Sequence, residues 1–342
     1  MASVILLFVK CITVKKESRV LKKVVIDRNI EKYKDEIVKV SFGGYRKEMS
    51  ILKVASERSA ADYETFMKDK VSGMNGLVYL EDSKFNGYML YYEWEEEDGV
   101  HCRIPEWGLG AEGENRDKVI GYLFQVLAEE KVKEKAIHFS VELYANDIKL
   151  QRLFSYMEFG TQAETGVCAL ENLEYLTETD VRVISKEELK KRWTEVWRLV
   201  EQLVNHLKKS PIFYFGEEFT EEVYKEFFMD ETTTVYIAER TGEIVGLIQT
   251  NEDTLEPLFS EEEAANTADV YVLPEYRGTD VAKNLLFYAL QELKENNYSY
   301  AWVEHGTANP NARYFWNKYF TTYKYEMVRR VWGRKDVESL LT

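Results

Sequence analysis

The stretch from Val270 to Ala282 is the part of the sequence whose residue types and order best suit binding of a phosphorylated ligand. Its apolar start predicts a strand, Arg277-Gly278 predicts a tight loop, and the run beginning at Val281 predicts a helix. The first amides of a helix have no partner within the helix, and the helix dipole attracts anions to that end. Small residues at Gly278 and Ala282 would let a pyrophosphate approach the backbone, and Arg277 would add a positive charge.

A second motif lies downstream, in the segment 309–320, and contains in order Asn309, Ala312, Trp316 and Lys318. This spacing is similar to the Asn-x-x-Ala-x-x-x-(Tyr/Trp)-x-Lys segment of the GNAT acetyltransferase superfamily. "PEYRG" followed by "VAKNLLFYALQEL" resembles the acetyl-CoA loop and helix of the same superfamily. The ending "FWNKYF…VRRV" resembles a bacterial tandem two-domain variant. The resemblance extends from about Val181 to Trp332.

The resemblance implies that this region binds acetyl-CoA. In the superfamily the fourth and fifth strands splay apart, and the pantetheine arm adds between them as a short strand would. Carried over to this sequence, the backbone of Val270 and Val272 would face the arm, and Asn309 would meet it from the other side. The pyrophosphate would contact the loop and the first helical turn, namely Arg277, Gly278, Thr279, Asp280, Val281 and Ala282.

Two residues depart from the family pattern. Asp280 replaces the second glycine of the family loop, where its carboxylate would repel a pyrophosphate unless it caps the helix and points away. Trp316 stands where many relatives have a tyrosine that protonates the leaving thiolate, and an indole N–H has no usable proton near neutral pH. Aromatic residues at helical spacing usually belong to the core, so we expect Trp316 to pack there.

Transfer of an acetyl group to an amine sets further requirements. A general base or a water chain must accept a proton from the amine, and backbone N–H groups must stabilise the oxyanion. Candidate bases near the predicted splay are Asp269, Glu304 and His305, and Tyr314 is an alternative acid. Each of them could equally be a solvated residue at a strand end.

The elements that would position these residues follow a regular order in the second half of the chain. A strand, an amphipathic helix and a hairpin around Thr241-Gly242 precede the strand that enters the loop, and a helix, a strand, a helix and a strand follow. The acidic segment Asn251–Asn266 is predicted to be a loop that borders an acceptor cleft between domains.

The first half repeats this order, with a predicted strand at Ile51–Ala55, a helix at Ala60–Val71 and a hairpin around Asn86-Gly87. The same order of predicted strands and helices occurs in both halves, which suggests a tandem duplication. We predict an α/β fold of two tandem GNAT-like domains, each a mixed, mostly antiparallel sheet splayed at strands 4 and 5 and flanked by helices. The predicted division is a leader at 1–48 packed on the first domain, a degenerate GNAT-like domain at 49–176 and the acetyltransferase domain at 177–342.

The first half carries a weaker copy of the loop. Gly108 and Gly110 keep a Gly-x-Gly pair, but Trp107 stands where the family has Arg, and Phe154 falls where the tyrosine would be. A lone glycine pair is a weak signal, so the glycines are better explained by a tight strand-to-helix turn. We therefore interpret this half as a degenerate copy.

Composition limits the partners. The net charge of −15 argues against nucleic-acid binding and suits a cationic amine, although solubility alone would also explain it. Three distant cysteines and four histidines without metal-ligand spacing predict neither a disulfide framework nor a metal site, and favour a cytoplasmic protein. The apolar run Val4–Val9 is too short to span a membrane and is predicted to be a buried strand.

Three functions stay open at the level of sequence. The leading hypothesis is an acetyl-CoA-dependent N-acetyltransferase that transfers the acetyl group directly, in a ternary complex, to a small-molecule or peptide amine. The second is a regulatory module that binds CoA or acyl-CoA without turnover, because the thiolate acid and a loop glycine are missing. The third is an interaction protein in which neither loop binds a cofactor.

Overall fold

The computed structural model describes residues 23–331 except 97–98, 135, 172, 174–178, 215–218 and 260–262. The predicted strand Val4–Val9 lies outside these residues. The strands are β1 (Val24–Asp27), β2 (Asn75–Glu81), β3 (Lys84–Glu96), β4 (Gly99–Ile104), β5 (Leu109–Ala111), β6 (Ala136–Tyr144), β7 (Gly160–Ala169), β8 (Val181–Val183), β9 (Thr233–Arg240), β10 (Glu243–Asn251), β11 (Ala264–Val272), β12 (Tyr300–Gly306) and β13 (Thr321–Arg330). The α-helices are α1 (Lys34–Leu52), α2 (Ala60–Val71), α3 (Arg116–Lys133), α4 (Ile148–Tyr156), α5 (Lys186–Lys191), α6 (Trp193–Leu207), α7 (Glu221–Met229), α8 (Val281–Glu295) and α9 (Pro310–Trp316).

A single sheet runs through both halves of the chain, which we define as residues 23–171 and 179–331. Its strand order is β1-β2-β3-β4-β6-β13-β7-β12-β11-β10-β9-β8, and β5 pairs with β3. The last strand of each half therefore pairs with the other half. β13 lies between β6 and β7, and β7 lies between β13 and β12.

The fold is the predicted mixed, mostly antiparallel α/β arrangement in two similar halves. Parallel pairing occurs between β4 and β6 in the first half and between β11 and β12 in the second. In the second half this ladder joins only Ala264–Asn266 to Tyr300–Trp302. Beyond it, β11 and β12 line opposite walls of a cavity, so the predicted splay is present where the sequence placed the cofactor.

Helices cover both faces of the sheet. In the second half α6 and α8 pack on it through an apolar stripe that includes Leu199, Leu203, Leu285 and Leu290. In the first half α1 and α2 cover one face and α3 and α4 cover the other. Burial of these apolar stripes drives the packing of helices on the sheet.

The two hairpins show which turn signals were interpreted correctly. Thr241 and Gly242 have positive φ values of 48° and 85° and join β9 to β10, so this predicted turn is confirmed. The predicted turn at Asn86-Gly87 is wrong, because β2 and β3 are joined by Asp82 and Ser83, with φ values of 50° and 68°. Gly87 lies inside β3, where a Cβ atom would come within 2.7 Å of Val119.

The segment 51–55 was predicted to be a strand, and that prediction is wrong. Ile51 and Leu52 end α1, and Lys53 closes the helix in the left-handed conformation with its N–H donating to the carbonyl of Met49. α1 runs through position 48, where the predicted leader ended. Among the described residues, no helix is long and apolar enough to cross a membrane.

The glycine pair of the first half does not form a phosphate loop. Gly110 lies in β5, which pairs with β3, and α3 begins further on at Arg116. A Cβ atom on Gly108 would lie 2.8 Å from Pro105, and one on Gly110 would lie 2.8 Å from Tyr88. Close packing therefore explains both glycines. The predicted strand-to-helix turn is replaced by a short strand.

Candidate functional site

A cavity of about 920 Å³ lies in the gap between β11 and β12. Its walls come from both strands, the loop after β11, the start of α8, α9 and the end of α6. The first half of the chain also contributes, because Thr161, Gln162 and Ala163 of β7 line the cavity. Cavities of this size are typical of small-molecule sites.

The open edge of β11 forms one wall. β11 pairs with β10 along its length, whereas its pairing with β12 ends at Asn266. Val270 and Val272, both predicted to face pantetheine, lie in the cavity wall beyond that point. Their stretch of β11 can therefore add an extended ligand as a strand would add.

The loop after β11 is exposed and shaped for close approach. Gly278 has a φ of +77°, and a Cβ atom there would meet nothing within 4 Å, so the backbone is open to solvent. Thr279 donates its hydroxyl hydrogen to the carbonyl of Tyr276 at 2.6 Å, which fixes the turn before α8. Arg277, Gly278, Thr279 and Ala282 line the cavity, as predicted for a pyrophosphate site.

Contacts with two residues of β11 hold the Arg277 side chain in place. Its Nε donates to the carbonyl of Val272 at 3.1 Å, and its Nη2 donates to the hydroxyl of Tyr271 at 2.9 Å. The guanidinium also lies over the Tyr271 ring, 5.2 Å from its centroid. These contacts leave other N–H groups of the fork available to an anion.

Asp280 and Val281 lie outside the cavity lining. Asp280 is the N-cap of α8 with helical dihedrals, φ −78° and ψ −1°, and its side chain makes no capping hydrogen bond. The alternative in which the Asp280 side chain caps α8 is therefore not observed. An N-cap side chain needs an extended backbone to reach the next amides, and Asp280 lacks it. Val281 is buried in the core.

The α9 motif has a structural role on the opposite wall. Asn309 is buried and caps α9 by accepting a hydrogen bond from the N–H of Ala312 at 3.3 Å. Trp316 is buried with 4% of its surface exposed and meets Phe315 and Phe320 edge-on, so its predicted core packing is confirmed. Both residues line the cavity.

Asp269 is the most unusual acidic residue of the site. It lies at a bulge in β11, has a positive φ of 51° and lines the cavity. Burial raises the pKa of its carboxyl group to about 6, and hydrogen bonds from Tyr224 and Gln249 offset only part of that effect. A group with this pKa is ionised at neutral pH yet accepts a proton readily. The β-bulge aims it into the gap.

Glu304 and His305 lie on β12, on the other side of the gap, and both line the cavity. Glu304 is exposed and accepts a hydrogen bond from the Thr165 hydroxyl at 3.3 Å. His305 is buried, and burial lowers the pKa of its imidazole, so the ring is neutral at pH 7.

Tyr314 does not belong to this site. Its side chain is 84% exposed on α9 and is absent from the cavity lining among the described residues. The helix directs it to solvent because Phe315 and Trp316, the next positions, face the cavity and core. The prediction that Tyr314 supplies an acid is therefore wrong.

Two parts of the cavity wall have no signal in the sequence. Glu326 comes from β13 and the segment 161–163 comes from β7, both brought there by the exchange of terminal strands. No local pattern signals which half a strand will join, because strand pairing depends on the whole sheet. The acidic loop also differs from its prediction. None of its described residues lines the cavity, and Leu255, Leu258 and Phe259 join the core of the first half.

The corresponding place in the first half has a smaller cavity, about 290 Å³, lined in part by charged side chains. Beyond the end of β4, the buried carboxylate of Glu106 accepts hydrogen bonds from Tyr323 at 3.2 Å and Lys324 at 3.3 Å, both from β13. Burial raises the pKa of Glu106 to about 7. A carboxylate in place of an anion-binding loop agrees with a degenerate copy of the site.

The fold and cavity together define the class: a tandem α/β protein whose second half has splayed parallel strands and an open, arginine-containing loop after β11. Residues 200–320 match the family model "Acetyltransferase (GNAT) family". This part of the chain is therefore similar to the GNAT acetyltransferase family. A comparison of the sequence with curated proteins gives no match.

Solved structures share the fold over nearly the whole chain. A GCN5-related N-acetyltransferase from Sphaerobacter thermophilus is 12% identical, with a TM-score of 0.56 and coverage of 90% of this chain and 96% of that one. The glucosamine N-acetyltransferase region of a fungal multi-domain β-N-acetylglucosaminidase is 13% identical, with a TM-score of 0.51 and 92% of this chain covered. The match spans only 39% of the length of that fungal protein. At these identities the likeness is one of fold.

Proposed function

We propose that the chain is an acetyl-CoA-dependent N-acetyltransferase that acts on an amine bound in the cavity between β11 and β12. The observation that carries this proposal is the combination of three features in one cavity. They are an unpaired edge of β11, an open Arg277-Gly278 loop and the Asp269 carboxyl group with its raised pKa. These features suit the three parts of the reaction: a pantetheine arm, a pyrophosphate and an amine that must lose a proton.

The residues present fit acetyl-CoA, which supplies the acyl group as a thioester. The backbone of Val270 and Val272 would hold the arm, and Arg277 with the amides around Gly278 would hold the pyrophosphate. Asp269 would take one proton from the ammonium form of the acceptor, which leaves a neutral nitrogen lone pair. The new bond is C–N and the broken bond is C–S, and the second proton that the nitrogen loses goes to the leaving thiolate, so the products are an amide and a thiol. Direct transfer between two bound substrates needs no nucleophile from the chain.

Reactive thiols play no part in this proposal. Cys102 and Cys168 are unpaired, and burial raises the pKa of their thiols to about 12 and about 11. Thiols of this kind are poor nucleophiles near neutral pH. Two unpaired cysteines also support the proposal of a cytoplasmic protein.

Calorimetry with acetyl-CoA tests the cofactor site. We expect saturable binding to the native protein and about a tenfold loss of affinity in Arg277→Ala, because a charge-assisted contact to the pyrophosphate is removed. The matched control is Arg198→Ala, which removes a surface arginine paired with Glu243. Absence of binding to the native protein would overturn the proposal.

Release of free thiol over a panel of amines tests the reaction. The regulatory alternative rests on buried Trp316, which cannot protonate a thiolate. Saturable acetyl-CoA binding with no thiol release on any amine would favour that alternative. Amine-dependent thiol release at a stoichiometry of one amide per thiol would exclude it.

A further inference from the structure

The carboxyl group of Asp269 contacts two side chains that are absent from the cavity lining among the described residues, Tyr224 of α7 and Gln249 of β10. The hydroxyl of Tyr224 donates to Oδ1 of Asp269 at 3.5 Å, and the side chain of Gln249 hydrogen-bonds to the same carboxyl group. Hydrogen bonds between catalytic groups are often long before substrate binds and shorten in the reacting complex. Both contacts therefore tie the carboxyl group to the protein, whereas Asp269 itself lines the cavity.

Aromatic packing fixes the ring of Tyr224. Only 6% of the residue is exposed. Its ring meets that of Phe228 edge-on, with centroids 5.8 Å apart, and the centroids of the Trp197 and Phe219 rings each lie 6.2 Å away. A ring that is closely packed by several others has little freedom to move. The position of the hydroxyl beside Asp269 is therefore set by the core of the second half.

The helix that carries Tyr224 is itself anchored by a lysine. Lys186 Nζ donates to three backbone carbonyl oxygens at and after the end of α7, those of Phe228 at 2.8 Å, Asp230 at 2.7 Å and Thr233 at 2.6 Å. An ammonium group has three N–H donors, and each of them has an acceptor here. These contacts bind the end of α7 to the start of β9, so the helix is a firm support for Tyr224.

Gln249 is the second support, and it is 1% exposed. Its partner in the neighbouring strand is Ala268, the residue before Asp269, so Gln249 lies at the bulge of β11. Its Oε1 atom is buried and has no hydrogen-bond partner among the described residues, which is rare for a buried polar atom. A half-turn of the amide exchanges its N–H donors and its oxygen acceptor. Since that oxygen has no other contact to lose, Gln249 can donate to an ionised carboxylate or accept from a protonated carboxyl group.

We propose that Tyr224 and Gln249 are positioning residues for proton transfer at Asp269. Tyr224 holds the carboxylate in its direction towards the cavity, and Gln249 donates to it before the transfer and accepts from it afterwards. This inference rests on the proposed function, since it assigns the residues that support the base of that reaction. The proton moves from the ammonium group of the acceptor to the Asp269 carboxylate. Neither Tyr224 nor Gln249 gives up a proton.

The two hydrogen bonds act on the pKa of Asp269 in a known direction. Both favour the ionised form and lower the pKa, against the larger effect of burial, which raises it. Loss of either hydrogen bond should therefore raise the pKa further. Other charged or titratable side chains also line the cavity, namely His206, Arg277, Glu304, His305 and Glu326. They are the same in the native protein and in variants of Tyr224 or Gln249, so a difference between the pH profiles reports on Asp269.

Tyr224→Phe keeps the packed ring and removes only the hydroxyl. With kcat/KM measured by thiol release, the midpoint of its rise near pH 6 should move up by about half a unit to one unit. At pH 8, kcat should fall about threefold to tenfold, because the carboxylate is less well oriented. Gln249→Met should change both quantities in the same direction. The matched control is Tyr288→Phe, which removes a hydroxyl from a tyrosine of α8 that packs against Tyr236 and should keep the native profile.

Urea unfolding provides a measurement that needs no activity. The difference in the free energy of unfolding between the native protein and Asp269→Asn changes with pH up to the pKa of Asp269 in the folded state. When both proteins also carry Tyr224→Phe, this difference should level off at a pH about half a unit to one unit higher. That shift without thiol release on any amine would support the contact with Tyr224 and count against the proposed function alone. Thiol release with unchanged pH profiles in Tyr224→Phe and Gln249→Met would overturn this inference while the acetyltransferase activity stands.

Discussion

Asp269 joins a strained backbone position to an unusual pKa. A positive φ of 51° is uncommon for residues other than glycine, and Asp and Asn tolerate it best. The residue is half-buried, and burial raises the pKa of its carboxyl to about 6. Strained positions of this kind tend to occur at functional sites. Asn is the informative replacement, because it retains the backbone conformation and removes the base.

We expect Asp269→Asn to lower kcat by roughly 10²- to 10⁴-fold, the range for loss of a general base. If the native protein has the proposed activity, its kcat/KM should rise with pH through about 6, as the carboxyl group loses its proton. The variant should lack that rise. The matched control is Asp253→Asn, which changes an exposed aspartate outside the cavity. A variant with native kcat and the same rise near pH 6 would contradict the assignment.

The same substitution should stabilise the fold at high pH. An aspartate titrates near pH 3.9 in the unfolded chain and near 6 in this fold, so ionisation disfavours the folded state progressively between these pH values. Above pH 6 the loss of folding free energy caused by ionisation is complete. There the Asp269→Asn variant should be more stable than the native protein by about 1–2 kcal/mol, allowing for partial exposure. Below pH 4 the gain should vanish. Urea unfolding at pH 4 and pH 8 measures both.

The shape of the loop after β11 could be predicted because its causes are local. Gly278 needs a positive φ, and the order strand, loop, helix lies within one continuous stretch. Glu326 could not be predicted for the site, since it reaches the cavity through a strand whose neighbours come from the other half. The solvent-facing orientation of Tyr314 depended on the start of α9, which sequence alone fixes only to within a turn.

At the scale of elements, β13 links the two halves through a buried ion-pair network. Its Lys324 is 8% exposed and lies between Glu106 and Glu142, which are 4% and 3% exposed. Burial raises the pKa of Glu142, but Lys324 and Arg103 outweigh that effect and the value falls to about 2. Glu142 is therefore charged at every physiological pH, whereas Glu106 is near its titration midpoint at pH 7.

We expect Lys324→Met to lower the free energy of unfolding by about 3–5 kcal/mol. The change leaves the buried Glu106 without its cation and leaves Glu142 with Arg103 alone. Glu106→Gln should cost less than about half of that, since its carboxyl group is only about half ionised at pH 7 and Lys324 retains its ion pair with Glu142. Urea unfolding at pH 7 compares the two variants. Equal costs would show that both carboxylates carry full charge in the folded state.

The hairpins show why some elements could be predicted and others could not. Thr241-Gly242 and Asp82-Ser83 both join strands through two residues with positive φ, but only the first contains the glycine that signals such a turn. In the first half the nearby Asn86-Gly87 gave the stronger sequence signal, although Gly87 is explained by close packing against Val119. The helical spacing of apolar residues predicted α2 with the bounds that the structure shows, because a helix signal extends over many residues.

At the scale of the whole molecule, the tandem order was predictable and the exchange of strands was not. Each half repeats the same element order along the chain, and that repeat is visible in hydrophobic patterns. The pairs β7–β12 and β13–β6 join strands that are far apart in the sequence. Several strands have similar patterns, so local sequence does not determine which of them pair. The exchange has a functional consequence, because residues 161–163 of the first half form part of the wall of the cavity in the second half.

The exchange predicts that neither half works alone. If residues 177–342 are expressed without residues 1–176, β12 and β13 lose β7 as their shared neighbour and expose strand edges, which favours aggregation. We expect this fragment to show no saturable acetyl-CoA binding by calorimetry. Co-expression of both fragments is the matched control, because it keeps the cut and restores the partner strands. The fragments should copurify and bind acetyl-CoA within about threefold of the intact chain's affinity, a difference of less than 1 kcal/mol. Native affinity in residues 177–342 alone would show that β7 is dispensable and that the cavity belongs to one half.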